Sequence, residues 1–71
     1  MKWINAKQDP PEMKNNILAL YSEYDIYAEY LRPHVLYVAK EPYPHFYNDS
    51  GEEIKMKHIF YYMNIPENPK K

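Results

Sequence analysis

Seven prolines and a single glycine punctuate these 71 residues, and the prolines limit where any element can run. Each proline fixes its own φ, removes a backbone donor and pushes the preceding residue out of the helical region. Pro10-Pro11 therefore closes whatever Trp3 and Ile4 open. Pro33 ends any element begun after Ser22, and the close pair Pro42 and Pro44 excludes a central strand across Tyr43. Short apolar runs remain. Ile17-Leu18-Ala19-Leu20-Tyr21, bounded by Asn15-Asn16 and Ser22, reads as a strand, and so does the β-branched and aromatic run Val35-Leu36-Tyr37-Val38-Ala39. His45-Phe46-Tyr47 resumes after the prolines, and Lys57 to Met63 forms the last run. In that last run both parities are apolar or aromatic, so the strand is expected to be central or covered on both sides. Asn48-Asp49-Ser50-Gly51 is the strongest turn, with positive φ expected at the lone glycine.

The stretch from Ser22 to Leu31 reads two ways. With period 2, Ile26, Ala28 and Tyr30 oppose Asp25, Tyr27 and Glu29, which favours a strand. With Ser22 as a cap, Glu23 and Asp25 in a first turn and Pro33 as a stop, it is a short helix. The expected fold is mainly β, a small antiparallel meander sheet, with one short helix between residues 22 and 31 as the alternative. Residues 1–71 make one domain, and the polar, proline-rich tail 66–71 is expected to lie extended or frayed.

The chain is short, so its core must be small: a domain of this length buries only about 60% of the surface its unfolded chain exposes. Apolar residues are 45% of the chain, enough for collapse. The absence of cysteine rules out disulfides and thiolate metal sites and fits a reducing cytosol. No apolar run approaches the roughly 20 residues that span a bilayer, and the opening Met1-Lys2-Trp3-Ile4-Asn5 does not resemble a signal peptide. Nine basic against ten acidic residues give a net charge of −1. Double-stranded nucleic acid, which needs a lysine and arginine excess, is therefore not an expected partner, and neither is a role as an acidic DNA mimic.

Three segments in order resemble a small domain family of unknown function, DUF551, common in bacteriophage and prophage genomes. Trp3-Ile4-Asn5-Ala6-Lys7-Gln8-Asp9-Pro10-Pro11-Glu12 is similar to its opening W-I-S-V-x-x-x-L-P-E. Phe46-Tyr47-Asn48-Asp49-Ser50-Gly51-Glu52-Glu53-Ile54 is similar to its central W-Y-D-x-x-G-x-x-I, and Met63-Asn64-Ile65-Pro66-Glu67-Asn68-Pro69 to its closing M-P-L-P-E-P-P. The chain departs from the pattern at Tyr61-Tyr62, where the family has His-Trp, and in a longer, tyrosine-richer stretch from Ser22 to His34. The resemblance implies a compact β domain of phage or mobile-element origin, acting in the cytoplasm of a bacterial host, and implies no activity. The same residues have a packing reading, with Trp3 and Phe46 as core anchors and Gly51 as a turn.

Few residues suggest catalysis. His34, His45 and His58 could form an open three-histidine metal site for hydrolysis, but spacings of 11 and 13 match no motif, and solvent-edge histidines are the plainer reading. Glu52-Glu53 and Glu23/Asp25 are carboxylate clusters in or beside turns, where acidic residues serve solubility. Ser22 and Ser50 lie in no nucleophile elbow, and one glycine cannot build a phosphate-binding loop. No catalytic residue and no cofactor are expected.

The nine tyrosines are the strongest functional signal. They outnumber what so small a core can bury, and tyrosine is enriched at interface anchors. Tyr24, Tyr27, Tyr30 and Tyr43 are the expected contact residues of a non-enzymatic protein-binding module, with counter-defence inhibition of a host protein as the role suggested by phage origin. A nucleotide or small-ligand sponge that stacks bases on tyrosine rings is the alternative. A homodimer through a tyrosine-bearing edge would suit a small domain.

Overall fold

The computed structural model describes residues 2–24, 27 and 30–65. Six strands form: β1 (Ile4–Asn5), β2 (Ile17–Tyr21), β3 (His34–Ala39), β4 (His45–Tyr47), β5 (Glu53–Ile54) and β6 (Ile59–Asn64). A 3-10 turn, Met56–His58, leads into β6. Every pairing is antiparallel and the spatial order is β1-β6-β2-β3-β4-β5. Strands β2 to β5 run as the expected meander. The last strand then crosses back to lie between β1 and β2, which makes it central.

Period-2 patterning explains which side is buried. Ile17 and Ala19 of β2 are fully buried while Leu18 and Leu20 between them are only partly so. Register carries that face across the sheet: Ile17 lies opposite Leu36, Ala19 opposite Tyr62, Val38 opposite Phe46, and Phe46 opposite Ile54. Ile59 completes the cluster from β6, where pairing with β2 shifts register between Leu20 and Tyr21. Phe46 is the largest fully buried side chain. Fully burying a side chain of this kind contributes roughly 1.5–3 kcal/mol, a large share of what a small domain needs.

Loop 6–16 supplies the lid over this core through Ala6, Pro11 and Met13. Asn5 turns the chain into it: Asn5 Oδ1 accepts from the Lys7 amide at 2.9 Å, and the Asn5 carbonyl accepts from the Asp9 amide at 2.9 Å. Asn16 ends it. Regular β2–β3 pairing stops at Ile17–Leu36, and there Asn16 Oδ1 accepts from the Val38 amide at 3.1 Å, so a side chain continues the ladder. Gly51 takes φ +81° in the β4–β5 turn, as expected from the sequence.

Three expectations are revised or fall outside what is described. Trp3 is not a core anchor: it precedes the first strand and is 37% exposed, while Phe46 alone of the pair is buried. Within 22–31 the strand reading fails for the described residues, none of which is in a strand beyond Tyr21. The Tyr30 amide donates to the Tyr27 carbonyl at 3.0 Å, a tight-turn bond, and residues 25, 26, 28 and 29 lie outside the described residues. The frayed-tail expectation for 66–71 also falls outside them.

Candidate functional site

The nine tyrosines divide by environment. Tyr62 is buried at 3% exposure, Tyr21, Tyr37, Tyr47 and Tyr61 are partly buried, and four are open to solvent. Those four are Tyr24, Tyr27, Tyr30 and Tyr43, with exposures of 75%, 74%, 73% and 49%. Three sit on the connection from β2 to β3. Ser22 Oγ accepts from the Tyr24 amide at 3.0 Å and shapes the exit from β2, and the Tyr27 and Tyr30 rings approach to 6.2 Å at an interplanar angle of 59°. Tyr43 stands between Pro42 and Pro44, whose fixed φ values hold it at the bend before β4.

Tyr43 also begins a second aromatic feature. Because Phe46 points into the core, its neighbours His45 and Tyr47 point to the opposite face of the sheet. Ring centroids run Tyr43 to His45 at 5.1 Å, His45 to Tyr47 at 6.2 Å, and Tyr47 to Tyr37 at 5.5 Å, making a ladder of four rings over β3 and β4. His45 Nδ1 donates to the Tyr43 carbonyl at 2.7 Å, which orients the imidazole and leaves Nε2 as the outward nitrogen. The Tyr43 hydroxyl donates to Glu53 Oε1, and Glu53 lies opposite Tyr47 on edge strand β5. That hydrogen bond, followed by burial and the Glu53 charge, raises the Tyr43 phenol pKa above its ordinary value. Asp49 does the same to Tyr37, chiefly by hydrogen bonding and then by its charge.

The remainder of this face is mostly apolar, with Asn5 opposite Tyr61 on edge strand β1 as a polar exception. Register aligns Met63, Leu18 and Val35 in one row and Tyr61 with Leu20 in the next. None of these five is among the partly buried residues packed against the core. Sequence reading finds Tyr43 but not the ladder, because Tyr37, Tyr47 and Glu53 become neighbours only through strand register. The alternating parity around buried Phe46 is the one signal that points to it.

On the core side, a cleft of about 310 Å³ is lined by Tyr21, Ser22, Glu23, Tyr24, His34 and Asn48 among others. Tyr21 and His34 meet edge to face at 5.7 Å, and Asn48 Nδ2 donates to the Tyr21 hydroxyl at 3.4 Å and to Glu52 Oε1 at 3.1 Å. A larger cleft of about 570 Å³ lies between loop 9–15 and the end of β6, with Tyr62 at its base.

The three histidines are not brought together. His34 shares the core face at the start of β3, His45 lies on the other face, and His58 ends the 3-10 turn. Among the described residues no group of three or more histidine, aspartate or glutamate side chains is placed to hold a metal ion. No helix among them is long and apolar enough to cross a membrane. No family model, curated protein or solved structure matches the chain.

Proposed function

We propose that this chain is a non-enzymatic protein-binding module, with Tyr24, Tyr27, Tyr30 and Tyr43 as its contact residues. One observation carries the reading: three tyrosines crowded on one connection each keep about three quarters of their surface in water. Tyrosine rings left in water gain little for folding and much for binding, because they bury large area at small entropic cost. The resemblance to a phage-associated domain family supports an origin in a phage or mobile element, action in the host cytoplasm, and a counter-defence role in which the module occupies a host protein. The test is a double substitution, Tyr27→Ala with Tyr30→Ala. It should abolish capture of the protein that co-purifies with the native chain, while leaving unfolding free energy within about 0.5 kcal/mol per site. A cooperative loss of stability instead would place these rings in the fold and end the proposal.

A second reading, a nucleotide or small-ligand sponge, draws on the neighbouring, mutually tilted Tyr27 and Tyr30 rings and the Tyr21–His34 cleft. Base stacking on a ring contributes about 1–3 kcal/mol. A nucleotide panel in a thermal-shift assay separates the two: a rise in Tm with one nucleotide favours the sponge, and no rise favours the protein module.

A further inference from the structure

We propose that the four-ring ladder of Tyr37, Tyr47, His45 and Tyr43 seats an arginine side chain of the protein partner, with Glu53 as the carboxylate that pairs with it. This rests on the protein-binding reading and names the chemistry the partner must present.

The ladder is continuous, with successive centroids 5.1, 6.2 and 5.5 Å apart, so it offers a run of ring surface rather than one isolated face. Ring faces carry negative quadrupole potential and attract cations placed over them. Carboxylates stand at the ladder's margin: Glu53 opposite Tyr47 on the edge strand, and Asp49 beside Tyr37. Among the described residues neither carboxylate is ion-paired with a lysine or arginine. The described residues thus supply aromatic surface and negative charge together, with no ion pair from lysine or arginine to either carboxylate.

Glu53 is also oriented. The Tyr43 hydroxyl donates to Oε1, which holds the carboxylate against the ladder and leaves Oε2 to accept from outside. A planar guanidinium can lie over a ring and donate to a carboxylate in the same pose, whereas a lysine ammonium is a strongly hydrated point charge and gains less from the ring. The rows behind the ladder hold Met63, Leu18, Val35, Tyr61 and Leu20, with Asn5 at the far end of the second row, so the aliphatic stem of an arginine, or an apolar neighbour in the partner, meets mostly apolar surface there. Edge strand β5 is two residues long, so little backbone stands between solvent and the ladder's outer margin.

The test uses the full chain and a short neutral-backbone peptide carrying two arginines, titrated by NMR, with the lysine version as comparison. The expected result is chemical-shift change concentrated at Tyr37, Tyr43, His45 and Tyr47, with the lysine peptide binding more weakly. Glu53→Gln and Tyr43→Ala should each weaken the arginine peptide about fivefold, as loss of one exposed cation–π or ionic contact would. Glu12→Gln, which removes a carboxylate from the Lys14 pair on loop 6–16, should leave affinity unchanged. Amide spectra of each variant confirm that the fold is kept. Shift changes scattered over acidic residues, or equal losses from Glu12→Gln and Glu53→Gln, would reduce the effect to general charge attraction and overturn the assignment. Capture lost in the Tyr27 and Tyr30 variant while the ladder ignores arginine overturns this inference alone. An arginine response at the ladder with no partner captured supports the seat and counts against the module as placed on Tyr27 and Tyr30.

Discussion

The phenol of Tyr62 donates a 2.8 Å hydrogen bond to the backbone carbonyl of Asp9, tying central strand β6 to a loop 53 positions earlier in the chain. The bond pins the lid of loop 6–16 onto the sheet. Burial, and then the charges of Asp9 and Glu12, raise the Tyr62 pKa above its ordinary value near 10. A folded-state pKa above the unfolded one means the native protein holds this proton more tightly. The contribution is therefore complete below about pH 10 and is lost as pH climbs through the raised native value. Tyr62→Phe should cost about 1 kcal/mol at pH 7, the worth of one hydrogen bond, and should flatten the decline in stability above pH 10. Denaturant unfolding of both proteins from pH 7 to 11 measures this, and parallel curves would show that the phenol is not the titrating group.

Tyr43 offers a local probe of the ladder margin. Its pKa is raised first by the hydrogen bond to Glu53, so Glu53→Gln should bring it down toward the value of a free phenol. Titration of the Tyr43 ring carbons by NMR reads this directly. An unchanged midpoint would mean that the two side chains do not meet in solution.

The β4–β5 turn depends on one side chain. Asn48 Oδ1 accepts from the Ser50 and Glu52 amides, each at 3.0 Å, while Nδ2 donates to Glu52 and Tyr21. Asn48→Ala should cost about 1–2 kcal/mol, because the partners are solvent-facing and water recovers part of the loss. Gly51→Ala meets no atom within 4 Å, so its expected cost of about 1 kcal/mol comes only from the positive φ. Equilibrium unfolding that ranked Gly51→Ala as neutral would contradict the left-handed backbone there.

Phe46 is the side chain the core can least spare. It is fully buried and its strand neighbours across β3 and β5 are Val38 and Ile54. Phe46→Ala should cost about 3–5 kcal/mol, against a total of roughly 4–10 kcal/mol for a chain of this length. Calorimetry should show a sharply lowered Tm or no cooperative transition, and a shift of only a few degrees would mean that the core closes around the gap.

Much of the sheet was legible because local signals agreed. Ile17 to Tyr21 and His45 to Tyr47 appear as strands at the expected residues, and Gly51 takes the conformation that its place in Asn48-Asp49-Ser50-Gly51 implies. β1 and β5 were not legible, since two residues carry no periodicity and pair only because a longer neighbour presents a ladder. The return of β6 between β1 and β2 is a long-range choice that no window of sequence records. Trp3 misled for a related reason: residue size marks it as an anchor, yet β1 begins after it and the lid over the core comes from Ala6, Pro11 and Met13 instead. The ring ladder stayed hidden until register set Tyr37, Tyr47 and Glu53 side by side.

Both margins of the sheet are closed by strands of two residues, Ile4–Asn5 on one side and Glu53–Ile54 on the other. A growing fibril needs a long unsatisfied ladder to copy itself onto, and neither border offers one. The protein can therefore carry a tyrosine-laden exterior at high concentration without recruiting its own kind by backbone templating. Among the described residues the borders offer an incoming chain little backbone ladder, and contact there falls to side chains.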